Sequence, residues 1–262
     1  MRREATVRLQ GELALVTGST SGIGKAIALE FASQGAVVGV HGRDGARGAA
    51  VVDEIRGGGG TAQFFGVDLS DESGCASLVD DVAAWAGGLT VLVNNAVASP
   101  DGTDTTVREM DTGYWEGALR VNLTAAMWCC RTALAHMSAA GHGSIINISS
   151  RQAERPSGGL SGYAVFKSGL NGLTRAIAVE EGRNAIRANT ISPGYVVNER
   201  RDAEITPERR ARLAAMHLTR LGEARDVAHA AVYLASRESE FLTGINLQLD
   251  GGGSNARAAS LG

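Results

Sequence analysis

Tyr163 and Lys167 stand four residues apart in Tyr163-Ala164-Val165-Phe166-Lys167. On a helix that spacing puts both side chains on one face. A phenol, with an ordinary pKa of about 10, is a poor base at neutral pH. A neighbouring ammonium favours its phenolate, so the pair has the chemistry to give a proton to a carbonyl oxygen or to take one from an alcohol. Alone, the same spacing fits an ordinary pair on a helix surface.

A second group of residues suits a phosphate. Thr17-Gly18-Ser19-Thr20-Ser21-Gly22-Ile23-Gly24 joins an apolar run, Leu13–Thr17, to a stretch in which Ile23, Ile27 and Phe31 recur every four residues. That pattern is strand, then turn, then helix. Gly18 permits the tight turn, Gly22 lets backbone approach a pyrophosphate, and Gly24 lets helix and strand pack closely. The first N–H groups of the helix would meet the phosphates. A glycine triplet at this junction is a stronger signal than one elsewhere; its alternative is a glycine-rich turn with no ligand.

The elements that must position these groups alternate along the chain. Further strand-like runs are Ala36–Val40, Ala62–Val67, Thr90–Asn94, Ser144–Ile148, Ile186–Ile191 and Ile245–Leu249. Helical patterns cover Ala46–Arg56, Asp71–Ala86, Gly113–Ala139, Ser161–Glu181 and Ala224–Ala235, while Arg201–Met216 reads as a charged helix or a mobile segment. The alternation predicts an α/β, doubly wound, Rossmann-like fold: a seven-stranded parallel sheet with helices on both faces. With no linker, repeat or low-complexity block, residues 1–262 read as one domain, its core at about 10–253, with a short N-terminal arm and a Gly-rich C-terminal tail.

Composition narrows the function. A net charge of −3 argues against a nucleic-acid binder. No apolar run approaches the roughly 20 residues that span a bilayer, and no apolar stretch follows Met1-Arg2-Arg3-Glu4 to make a signal peptide. Three cysteines, Cys75, Cys129 and Cys130, form neither a disulfide framework nor a metal-ligand spacing. The histidines are scattered, so no metal site is expected. Together these features predict a cytoplasmic protein with reduced, packed thiols.

With its motifs in order, the sequence resembles the short-chain dehydrogenases/reductases, similar to 3-oxoacyl-carrier-protein reductase-like oxidoreductases. The glycine spacing is that family's TGxxxGxG rather than GxGxxG. Asp68-Leu69 follows the third strand, Asn94-Asn95-Ala96 ends the fourth, and Asn122 lies in Val121-Asn122-Leu123. Ser149-Ser150 ends the fifth strand, Tyr163 and Lys167 open the next helix, Pro193-Gly194 follows the sixth strand, and Asp250-Gly251-Gly252 comes last. The match spans roughly residues 10–253. It implies catalytic roles for Asn122, Ser150, Tyr163 and Lys167, with Asn122 bending its helix locally and holding a water between Lys167 and solvent. Ser150, thirteen residues before Tyr163, is chosen over Ser149 to hold the reacting oxygen. It also implies cofactor contacts at Gly18, Ser19, Ser21, Gly22, Ile23, Gly24, Arg43, Asp68, Leu69, Asn95, Ala96, Tyr163, Lys167, Pro193, Gly194 and Val196. The cofactor would be NADP(H) or NAD(H).

His41-Gly42-Arg43-Asp44 bears on that choice. NAD-dependent relatives place a carboxylate at the end of the second strand, where this chain has Gly42. Arg43 suits a 2′-phosphate and favours NADP(H), but Asp44 would serve NAD(H) if the loop shifts. The substrate wall should come from residues 96–104, 151–162 and the segment after Gly194. Arg151, Gln152, Glu154 and Arg155 make it polar, and Arg200, Arg201, Arg209, Arg210 and Arg212 follow on a charged stretch. Val97 and Asn198 depart from the family's Gly and Thr. Ser138-Ala139-Ala140-Gly141 lacks the basic residues that often serve carrier-bound substrates.

The leading expectation is therefore an NADPH-dependent ketoreductase acting on a small-molecule carbonyl or alcohol. An NAD-dependent sugar, polyol or other alcohol dehydrogenase is the alternative. A non-catalytic nucleotide-binding regulator is a third. The resemblance further implies a homotetramer or homodimer.

Overall fold

The computed structural model describes residues 7–97, 103–198 and 202–255. Seven strands form one parallel sheet: β1 Leu13–Val16, β2 Val37–His41, β3 Thr61–Phe65, β4 Val91–Asn94, β5 Gly143–Ile148, β6 Ile186–Pro193 and β7 Asn246–Leu249. Their spatial order is β3-β2-β1-β4-β5-β6-β7. Among the described residues eight α-helices accompany them: α1 Gly22–Ser33, α2 Gly45–Gly57, α3 Glu72–Ala86, α4 Thr112–Leu119, α5 Ala125–Ala140, α6 Ser161–Glu181, α7 Pro207–Ala215 and α8 Ala224–Ala235.

Side chains alternate across a strand, and this divides the core in two. Ala14 and Val16 of β1 pack with Ile27 and Phe31 of α1, Val51 and Ile55 of α2, and Val227 and Ala231 of α8. Leu15, pointing the other way, packs with Leu78 and Val82 of α3, Cys129 and Met137 of α5, and Ile177 of α6. The three thiols are free and buried here, and burial pushes that of Cys130 up to about 12. No helix among the described residues is long and apolar enough to cross a membrane.

The sheet order reverses between β1 and β4. A crevice opens beyond the carboxyl ends of the strands at such a point, and the functional residues gather there.

One expected element is different. The helix read over Gly113–Ala139 is interrupted by a π-helical turn, Arg120–Thr124, between α4 and α5. Its cause is in the sequence. The Asn122 side-chain amide donates to the carbonyl oxygen of Ala118, 2.9 Å away and four residues back. A side chain inserted into the i→i−4 ladder widens the turn locally. The charged stretch before Met216 forms α7 only from Pro207, and that helix buries no residue.

Candidate functional site

A cleft of about 1060 Å³ lies at the β1/β4 reversal. One wall is the glycine turn. Gly18 and Gly22 have φ of +64° and +55°, the left-handed region where a Cβ is costly. A Cβ on Gly18 would lie 2.8 Å from Ala96 Cα, and one on Gly24 2.4 Å from both Asn95 Nδ2 and the Gly18 oxygen. The turn is therefore pressed against the end of β4. Thr17 Oγ1 accepts the N–H groups of Asn95 and Ala96 at 3.0 and 3.1 Å, and Asn95 Nδ2 donates to the oxygens of Thr17 and Gly18 at 2.9 and 3.1 Å.

His41, whose part the sequence did not announce, holds the same turn from β2. Its Nδ1 accepts the N–H of Gly18 at 3.0 Å, so its Nε2–H donates to the Val67 oxygen at 3.1 Å. Burial lowers its pKa against the opposing pull of the Val67 hydrogen bond and the Asp68 charge. Ser19 is placed differently from the expectation. Its hydroxyl is fully buried, donates to Val16 and accepts from the His41 N–H, and does not line the cleft. Thr20 and Ser21 line it instead, with Ile23.

At the outer end of the cleft, a Cβ on Gly42 would meet Thr20 Cγ2 at 2.6 Å, so no carboxylate fits at this position without rearrangement. Asp44 caps α2, accepting from the Arg47 N–H at 3.0 Å and from Arg47 Nε at 2.6 Å, and does not line the cleft. Arg43 does, and no carboxylate pairs with it among the described residues. Asp68 and Leu69 complete this end. A closed glycine cradle, a helix N-terminus and an unpaired guanidinium together fit a dinucleotide.

The inner end holds Ser150, Tyr163 and Lys167. Lys167 is buried. Its Nζ donates to the Ile148 oxygen at 2.6 Å and lies 5.8 Å from the centre of the Tyr163 ring. Desolvation brings its pKa down to about 7. Ser149 donates to the Lys167 backbone oxygen at 2.9 Å. Ser150 Oγ accepts the N–H of Gln152 at 3.1 Å and donates to nothing among the described residues, which leaves it a proton to offer. Asn122 lies behind this group, beside a cavity of about 10 Å³ shared with Thr17, Ala126 and Leu170, roughly the space of one water.

The first turn of α6 is capped from a distance. Leu160 offers no side-chain cap; the Asp104 carboxylate accepts the N–H groups of Gly162 and Tyr163 instead.

Of the polar stretch after Ser150, Arg151 and Gln152 reach the cleft, and Glu154 and Arg155 do not line it. Gln152 closes on Ser157 through two hydrogen bonds. Pro193, Gly194, Val196, Val97 and Asn198 also line the cleft. His217 is structural, accepting from the Tyr195 N–H at 3.1 Å and donating to Leu213 at 2.9 Å. Residues 98–102, with Arg200 and Arg201, lie outside the described residues. Among the described residues no group of three or more His, Cys, Asp or Glu is placed to hold a metal.

Comparison with known proteins bears on this geometry. A family model described as Enoyl-(Acyl carrier protein) reductase matches residues 18–254. Cis-4-hydroxycyclohexanecarboxylate dehydrogenase of Sinomonas cyclohexanicum is 38% identical, over 92% of this chain and 95% of that protein. A gluconate 5-dehydrogenase from Burkholderia cenocepacia J2315, solved with NADP and tartrate, superposes with a TM-score of 0.88 at 30% identity, covering 96% of this chain and 98% of that one. A 7α-hydroxysteroid dehydrogenase, solved with NADH and 7-oxo glycochenodeoxycholic acid, gives a TM-score of 0.88 at 32% identity, covering 96% and 97%.

Proposed function

As a member of the short-chain dehydrogenase/reductase family, the chain is an NAD(P)-dependent oxidoreductase of the alcohol/carbonyl pair, and we propose that it works as an NADPH-dependent ketoreductase. One observation carries the cofactor preference. At the outer end of the cleft no carboxylate pairs with Arg43 among the described residues, Asp44 is occupied as a helix cap, and Gly42 carries no acid. A ribose 2′-phosphate finds a guanidinium there, and a bare 2′-hydroxyl finds no carboxylate.

In this reading Gly18, Ser21, Gly22, Ile23 and Gly24 hold the pyrophosphate, and Asp68 and Leu69 face the adenine. Asn95, Ala96, Pro193, Gly194 and Val196 bound the nicotinamide half, and Ser19 supports the turn from inside. The bound cofactor supplies the hydride. Ser150 and Tyr163 hold the substrate carbonyl oxygen, and Tyr163 delivers its phenolic proton there. The Lys167 ammonium favours the phenolate left behind and binds the nicotinamide ribose. A water beside Asn122 would link Lys167 to solvent for the next proton.

The same reading implies a homotetramer or homodimer. Apolar Val165 and Val179, 43% and 85% exposed on α6, are surface that such an assembly would cover; light scattering measures it.

Thermal unfolding with NADPH or NADH tests the cofactor reading. A ligand at 100 times its Kd adds about 2.7 kcal/mol, and each kcal/mol is worth roughly 2–4 °C in a chain near this size. Greater stabilisation by NADPH is expected; preference for NADH overturns the assignment of Arg43 and turns attention to alcohol oxidation. Tyr163→Phe should abolish turnover while sparing the NADPH shift, and equal turnover by mutant and parent would refute the catalytic assignment.

A further inference from the structure

The cleft carries a second guanidinium that forms no salt bridge among the described residues, at the end away from Arg43. Arg151 follows Ser150 directly, on a short 3-10 turn, Arg151–Ala153, that continues from β5. Its position is thus fixed by the same strand end that fixes the oxygen-binding serine. Among the described residues its one polar contact is Met216 Sδ, 4.0 Å from Nη2.

Asp250 lies within reach of its charge, but no carboxylate among the described residues forms a salt bridge with it. Asp250 accepts the N–H groups of Gly252 and Ser254 at 3.0 and 2.6 Å. Asp202 accepts from Tyr195 Oη at 2.6 Å and from the Asn198 N–H at 2.9 Å. Asp68 is the sole carboxylate among the described lining residues, and it lies at the adenine end. The other cleft arginine, Arg47, is paired with Asp44.

An arginine with no salt bridge among the described residues is therefore retained in a concave site of a chain whose net charge is −3. A guanidinium in such a place matches a planar carboxylate by two parallel hydrogen bonds. Leu160 and Val196, which line the same cleft, offer apolar surface for a carbon skeleton.

We infer that Arg151 anchors a carboxylate of the substrate and determines specificity, so that the enzyme acts on keto or hydroxy acids whose acid group stands a few carbons from the reacting carbon. The inference rests on the oxidoreductase site proposed above and names its substrate class.

The test uses the full chain with 4-oxocyclohexanecarboxylate and 4-oxopentanoate, each beside its methyl ester, with NADPH as reductant. For the parent, kcat/KM on each acid should exceed that on its ester by tenfold or more. Arg151→Met should lower this acid-to-ester ratio by about 10- to 100-fold, the range of a charge-assisted hydrogen bond, chiefly through KM. Arg151→Lys should fall between. Circular dichroism and thermal unfolding establish that each variant is folded.

A ratio near one in the parent, or a ratio unchanged in Arg151→Met, overturns the inference. If the parent reduces neither acid nor ester, calorimetric titration of the two acids into the protein with NADP⁺ decides. Binding by the parent that Arg151→Met loses supports the anchor, and absence of binding by the parent overturns it. Carboxylate binding without turnover of any carbonyl would instead count against the proposed reaction while leaving the anchor standing.

Discussion

The carboxylate of Asp104 receives the backbone N–H groups of Gly162 and Tyr163, at 2.9 and 2.8 Å. Free N–H groups at the start of a helix need an acceptor, and here it comes from a segment nearly sixty residues earlier in the chain. The loop beside the cleft thereby fixes the turn from which the Tyr163 phenol projects. Asp104→Ala should cost about 1–2 kcal/mol and several degrees in Tm. It should also lower kcat more than it weakens NADPH binding. Loss of stability with kcat intact would show that the cap holds the helix without positioning Tyr163.

Gly24 has no space for a side chain, with Asn95 Nδ2 and the Gly18 oxygen each 2.4 Å from where a Cβ would stand. Gly24→Val should therefore separate α1 from the end of β4 and remove the thermal shift given by NADPH. Gly141, with φ of +78° and nothing within 4 Å of its added Cβ, is a fitting control. Gly141→Asn should retain the shift in full.

Arg43 sets the cofactor ratio if it meets the 2′-phosphate. Arg43→Ala should weaken NADPH binding by about 10- to 100-fold and leave NADH binding nearly unchanged, as measured by fluorescence titration. Equal losses for the two cofactors would place Arg43 elsewhere.

Two buried bases give the cofactor-free protein a pH profile in separate windows. His41 is held neutral by burial, below its ordinary value. The unfolded chain binds that proton first, so stability is in full above about pH 6.5 and falls as pH drops through the folded value. Protonation would also set an N–H at Nδ1 against the N–H of Gly18, loosening the turn. NADPH affinity and Tm should both fall between pH 7 and 5, and His41→Asn should flatten the slope. Lys167, lowered to about 7, acts in the higher window. Between 7 and about 10.4 the unfolded chain again holds the extra proton, so this residue's contribution rises with pH. Lys167→Met should remove that rise.

The fold was legible because strand and helix alternate and glycine marks their junctions; all seven strands fall within a few residues of their expected positions. Gly18, Gly22, Ser150, Tyr163 and Lys167, singled out by spacing, come together along one cleft. What escaped depended on partners far away in the chain. Ser19 looks like its neighbours in the turn, but the buried N–H of His41 and the oxygen of Val16 draw its hydroxyl inward. The polar look of Gln152 and Glu154 suggested substrate contacts, yet Gln152 is spent on Ser157 and Glu154 accepts from Asn171 and Asn246. The π turn depends on where one asparagine amide points; helical periodicity does not encode that, and only the family resemblance implied a bend at Asn122.

The strand order has a consequence for synthesis. β1 lies between β2 and β4, and its two faces belong to the two halves of the core. β2 follows β1 closely, but β4 starts at Val91. At about 5–20 residues per second, β1 emerges on the order of ten seconds before its second neighbour exists. During that time Leu13–Val16, among the most apolar segments of the chain, has one edge unpaired. A nascent chain stalled before β4 is thus a natural client for chaperones, and fragments ending there should aggregate where the full chain does not.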